Sequence, residues 1–175
     1  MTDPGGSLPV ENMSCRSFNL GDGMILIAAL AVGLAFGKRA TWHEDIPGLF
    51  SVPYAASLCL DSLCVAVLLL RSRQPRPPLA RLVVQPGVFA CGTAVVCLFV
   101  SGIMGGLVGY YHTFWPILEI TATGGGITSV WLMFWLGGLW KPEKGWIDGM
   151  GRFLGGCWIL LWLVLWLFSA VWRSI

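Results

Sequence analysis

Charge is what this sequence has least of: Lys, Arg, Asp and Glu make up 11% of 175 residues. A water-soluble domain carries about a quarter, so no water-facing surface can be built from this stock. Histidine is almost missing, with only His43 and His112. No HExxH, Cys-x-x-Cys, nucleotide fingerprint or phosphate-cradling loop occurs, and Gly124–Gly126 lacks the strand and lysine a P-loop needs. No nucleophile–base constellation is present, so the sequence predicts neither an enzyme nor a resident cofactor or metal. The net charge of +2 comes from basic residues confined to loops and span ends, which excludes a nucleic-acid surface.

Apolar residues are abundant instead, at 56% of the chain with a mean hydropathy of +0.75. They fall in runs long enough to cross a bilayer. The pattern predicts an all-α, polytopic transmembrane helix bundle of five spans: 18–37, 48–70, 87–111, 116–140 and 151–172. Four is the alternative if the first run, whose uninterrupted apolar part is only Met24–Gly37, fails to cross fully. Residues 1–17, with Pro4, Gly5, Gly6 and Pro9 and no periodicity, read as a disordered tail. A cleaved signal peptide competes for the first run, but the tail is acidic apart from Arg16 and no convincing cleavage site follows. Asp22 stands near the start of that run, where a carboxylate favours a helix N-terminus.

The loop Arg71–Arg81 holds four arginines, three prolines and no acid, so it resists both helix formation and translocation. With five spans it shares a side with the tail and with the polar loop Lys141–Met150. That side carries Arg16, Arg71, Arg73, Arg76, Arg81, Lys141, Lys144 and Arg152, against Lys38, Arg39 and Arg173 opposite. The asymmetry predicts a cytoplasmic N-terminus and an external C-terminus.

Asp61 is the residue most out of place, about 15 Å of helical rise from Arg71 and so near the bilayer centre. An ionisable group at such depth faces a cavity or a partner and marks a functional site, or serves as hydrogen-bonded packing glue. Ser57, Asp61 and Cys64 recur on one face, so Ser57 or a neighbouring helix is the expected partner, with polar groups of the fourth span as further ones. Glu119, in the first turn of the fourth span, is expected to lie near the outer surface and out of reach of Asp61. Thr123, Thr128 and Gly124–Gly126 give that span a polar, glycine-rich centre. It suits either a broken transporter helix at a substrate site or close helix packing. Two small-residue rows in the third span, Ser101/Gly105/Gly109 and Gly102/Gly106, predict helix packing there.

Of six cysteines, five lie in apolar runs without ligand spacing and read as small hydrophobes. His43 and His112 fall on one side but in no shared register, which argues against haem ligation. Trp158, Trp162 and Trp166 form a slowly drifting stripe, of the kind that packs helices or faces lipid, and Trp140, Trp146 and Trp172 sit at expected interfaces.

Ser17-Phe18-Asn19-Leu20-Gly21-Asp22 is similar to a prepilin processing site, but Ser17 stands where that family has glycine and four further spans are foreign to pilins. Leu20-Gly21-Asp22-Gly23-Met24-Ile25-Leu26-Ile27-Ala28-Ala29 and Gly145-Trp146-Ile147-Asp148-Gly149-Met150-Gly151-Arg152 resemble small multi-pass membrane proteins of planctomycete-type bacteria. That resemblance covers a small part of the chain and implies a bacterial inner membrane and no activity. The functional expectation is a non-enzymatic integral inner-membrane protein used for packing, assembly or partner binding, the partners being lipid and a second copy or another membrane protein. The alternative is a small transporter or channel subunit using Asp61 and the Thr/Gly-rich centre of the fourth span.

Overall fold

The computed structural model describes residues 18–41, 48–73, 85–108, 115–140 and 145–172. They form five helices: α1 (Leu20–Thr41), α2 (Gly48–Ser72), α3 (Pro86–Val108), α4 (Trp115–Leu136) and α5 (Trp146–Trp172). There is no strand among the described residues, and each helix is long and apolar enough to cross a membrane. The tail 1–17, His43, Arg76, Arg81, Gly109, His112, Lys141, Lys144 and Arg173 lie outside the described residues.

Local chemistry sets the helix ends. At the start of α1, Asn19 Oδ1 accepts from the Asp22 N–H (2.9 Å) and Asp22 Oδ2 accepts from the Asn19 N–H (3.2 Å). This reciprocal box satisfies two donors that the first turn would leave unpaired. Helix α4 stops at Leu136, four residues short of the expected Trp140. Gly138 adopts a φ of 63°, and the N–H groups of Gly138 and Leu139 bond back to the Trp135 and Phe134 carbonyls. That is a Schellman stop, which a left-handed glycine allows without strain.

Helix α5 begins five residues earlier than predicted, so Trp146–Met150 is helix rather than loop. The reason is Asp148, whose carboxylate sits in the first turn and pairs with Arg152 one turn on (Oδ2 to Nε, 2.7 Å). The predicted polar loop is therefore half helix cap. Helix α2 likewise runs on through Arg71 to Ser72.

Helices α3, α4 and α5 pack on one another, α2 lies against α3 and α5 and touches α4, and among the described residues α1 packs on α2 alone. The ends fall as an alternating bundle requires. Phe18, before α1, stacks edge-on against Trp146 at the start of α5 (5.0 Å). At the same end, Gly87 of α3 meets Gly151 of α5, and Trp131 of α4 donates to the Pro86 carbonyl (3.3 Å). The core is thin and apolar, built from residues such as Val67, Leu70, Cys91, Ile127, Leu154 and Trp158. The outside is equally apolar, with Leu20, Met24, Val52, Phe99 and Met133 exposed, a surface suited to lipid rather than water.

Close approach is set by glycine, at positions other than those the third span suggested. A side-chain carbon on Gly33 of α1 would stand 2.7 Å from the Cys59 Cα of α2. In α3, Gly102 is exposed, with open space where its side chain would be, so the Gly102/Gly106 row is not a packing seam at Gly102. Ser101 is buried; for Gly105 and Gly106 only the backbone is described. The closest described approach of α3 is made by Gly87 in its first turn, and Ala90, Cys91 and Ala94 carry its packing on into the core.

Candidate functional site

The buried polar residues of the bundle converge between α2 and α4. Asp61, midway along α2, is 2% exposed, and Glu119, the fifth residue of α4, is 3% exposed. The two carboxyl groups face each other at close range, Glu119 being the charged group that bears most strongly on Asp61. One proton between them lets the two carboxyl groups hydrogen-bond to each other, and no other described residue donates to either Asp61 oxygen or to Oε1 of Glu119. No described basic side chain neutralises either acid.

This overturns the expectation that Glu119 lies apart from Asp61. Counting residues from each loop assumed upright, unstaggered helices. The actual stagger follows from α4's glycines: a side chain on Gly124 would run into the Cβ of Trp162 on α5, and one on Gly126 would come within 3.1 Å of Thr93 on α3. Seated by these contacts, α4 brings its first turns to the level of Asp61. Its Gly124–Gly126 centre is continuous helix, so the glycines act in packing and not as a break.

Three other groups complete the cluster. Thr123 follows Glu119 by one turn on the same face of α4. It is 1% exposed, and its hydroxyl has the Cys97 thiol as its described polar neighbour. Cys97 of α3 lies beside Thr123 and within the field of both acids. Tyr54 of α2 feels Glu119 more strongly than Asp61. Neither Tyr54 nor Cys97 was singled out from sequence. Each looks like ordinary span filling until the neighbouring helix is in place.

Two sequence-predicted members fall away. Ser57 is fully buried on the Asp61 face, yet its hydroxyl donates to the Tyr54 carbonyl of its own helix (2.8 Å). Serine inside a helix commonly satisfies itself this way, which leaves Asp61 without the predicted partner. Thr128 donates to the Gly124 carbonyl (2.7 Å) and faces a shallow apolar groove lined by Trp131, Leu132, Trp135, Trp140 and Ile159, away from the acids.

Below the acid pair, Cys64 of α2 touches Cys91 of α3 and the indole of Trp158 on α5. All three are at most 1% exposed. Among the described residues no three His, Cys, Asp or Glu side chains form a group able to hold a metal ion. The tryptophan stripe drifts outward as predicted by its spacing, from buried Trp158 through half-buried Trp162 to Trp166 at 58% exposure.

A second polar cluster, also not foreseen, locks the opposite end. Asp148 is 3% exposed; its Oδ1 accepts the Gly87 N–H of α3 (2.9 Å) while its Oδ2 holds Arg152. The Arg152 guanidinium lies over the Trp140 ring (4.9 Å), and Trp140 packs edge-on against Trp131 (5.3 Å). Both carboxylate oxygens of Asp148 find a donor, so it reads as a structural clasp. The acid pair, in contrast, draws no donor from any other described residue. No family model, curated protein or solved structure was found to match this chain.

Proposed function

We propose that this chain is a non-enzymatic integral protein of a bacterial inner membrane that acts as a small transporter or channel subunit, handling protons or small cations at the Asp61–Glu119 pair. One observation carries the reading: two buried carboxyl groups face each other within the bundle, bonded only to one another and with no compensating base among the described residues. Two facing acids with no donor but each other are suited to sharing a proton or taking up a cation. Thr123 adds a further oxygen at the same place.

The test is a pH gradient imposed across vesicles containing the purified protein and an entrapped pH-sensitive dye. Asp61→Asn and Glu119→Gln, which keep shape and remove ionisation, should each slow dissipation at least tenfold while the helix content stays unchanged. A wild-type rate equal to that of protein-free vesicles would remove the proposal.

A second reading, packing and assembly with lipid and a like or unlike membrane protein as partners, is favoured by the glycine contacts of α1, α3 and α4. On that reading Asp61→Asn is silent in the gradient assay, and Asp61→Leu costs about 1 kcal/mol, the scale of a membrane hydrogen bond. Orientation is part of the proposal: N-terminus and the Arg71–Arg81 loop in the cytoplasm, C-terminus outside, from the basic asymmetry of the sequence. Reporter fusions after Gln74 and after Ile175 should then report opposite sides.

A further inference from the structure

We infer that the Asp61–Glu119 pair binds one small alkali cation, sodium or lithium, in exchange for one of its two protons and keeps the other. The inference rests on the proposed transport role and names the ion and the exchange.

Charge sets the exchange. No basic side chain among the described residues stands near either acid. At this burial a load that neutralises the pair is strongly favoured over one that leaves it charged. Two protons neutralise it, and so does one proton together with one monovalent cation. Between these states one O–H bond breaks, its proton leaves to water, and the carboxylate oxygen left behind coordinates the cation. The remaining proton goes on joining the two carboxyl groups. The surrounding titratable groups add no positive charge. Glu119 from α4 and Cys64 on its own helix act on Asp61, and Tyr54 of α2 and Cys97 of α3 stand in the field of both acids. No described group of α1 or α5 is among those acting on either acid.

The donor set selects the ion. Asp61 Oδ1 and Oδ2, Glu119 Oε1 and Thr123 Oγ1 are buried oxygens. The Thr123 hydroxyl lies one turn beyond Glu119 on the same face. It has the Cys97 thiol beside it and no oxygen acceptor among the described residues, so its lone pairs are open to a cation. Ser57 and Thr128 are already bonded to carbonyls of their own helices. Calcium takes about six to eight oxygens, and magnesium an octahedron that keeps several waters, more than this cluster supplies. The thiols nearby are soft ligands, and no described group of three His, Cys, Asp or Glu side chains could hold a transition metal. A large ion is disfavoured too. Gly124 and Gly126 seat α4 against Trp162 of α5 and Thr93 of α3, so α4 has little freedom to draw away from α2.

The experiment uses the full chain in vesicles. Infrared difference spectra follow the carbonyl stretch of protonated carboxyl groups, and a pH indicator counts released protons. Sodium or lithium, added at constant ionic strength against choline, should remove about half the band and release one proton per ion bound. The response should need at least tenfold more potassium, calcium or magnesium. Raising the pH by one unit should tighten the apparent affinity for sodium about tenfold, as one-for-one competition requires. Thr123→Val should weaken sodium binding at least tenfold and keep the band. The double variant Asp61→Asn with Glu119→Gln should lose both band and sodium response at unchanged helix content; should it not fold, the proton count and Thr123→Val decide. A band that pH moves and sodium does not, or that choline moves equally, overturns the cation exchange and leaves proton handling standing. Two protons released per ion, or an equal response to potassium or a divalent ion, overturns the assignment of a small monovalent ion. A band that the double variant retains, or none at any pH, overturns both the exchange and the proton-handling role.

Discussion

Gly151→Ala should lower the stability of the folded bundle by about 2–3 kcal/mol, the scale of an overpacked contact. Gly151→Leu should leave little folded protein. The added carbon of alanine would stand 2.5 Å from the carbonyl carbon and oxygen of Gly87 and 2.9 Å from its Cα. These are backbone atoms, which cannot rotate aside as a side chain can. Helix α3 must therefore back away from α5, and the move breaks the Gly87 N–H bond to Asp148 and strains the Trp131 bond to Pro86. Gly87→Ala meets the Asp148 carbonyl in the same way. Gly156, five residues along the same helix, has open space around it, so Gly156→Ala should be neutral or stabilising by up to about 1 kcal/mol, the helix-propensity difference. Denaturation in mixed micelles, followed by circular dichroism, separates the two. Equal effects from Gly151→Ala and Gly156→Ala would mean that the α3–α5 crossing is looser than described.

Asp148→Ala is expected to cost about 2–3 kcal/mol, because it strips a buried donor of its acceptor and a partly buried cation of its anion. The Gly87 N–H is one of the orphan donors of the α3 N-terminus, and Asp148 Oδ1 is its acceptor. Arg152, whose side chain is 19% exposed, retains its stacking on Trp140 but loses the carboxylate. Asp148→Asn should fall between wild type and alanine, since an amide oxygen still accepts from Gly87 while the charge is gone. Arg152→Gln should cost less than either, its partner remaining bonded to Gly87. The order Ala, Asn, then Arg152→Gln, read from the same denaturation curves, is the check. An Arg152→Gln cost above that of Asp148→Ala would place the weight on the ion pair and not on the helix cap.

The sequence alone carried the architecture. Hydropathy runs of spanning length, separated by proline, glycine and clustered charge, mark five helices, and none of the five needed its neighbours to be recognised. Helix ends were legible only where the signal is local, as with Asp22. The α5 start was missed because Asp148 and Arg152 look like loop charges until Gly87 supplies a buried donor from 61 residues away. Asp61 was identifiable as a site candidate because an acid in a lipid-length run is costly wherever it points.

What only the tertiary structure decided is which polar groups meet. Ser57 shares a face with Asp61 but bonds within its own helix, whereas Glu119, expected near the surface, is the group that faces it. Tyr54, Cys97 and the Cys64–Cys91–Trp158 contact were likewise invisible along the chain. Hydrophobicity fixes a span's length and depth only to within a turn or two, and it is nearly silent on rotation and stagger because lipid is as apolar as the core. Those two degrees of freedom are set by close contacts at Gly33, Gly87, Gly124 and Gly151. A difference of one turn in stagger separates an acid at the surface from an acid paired inside the bundle.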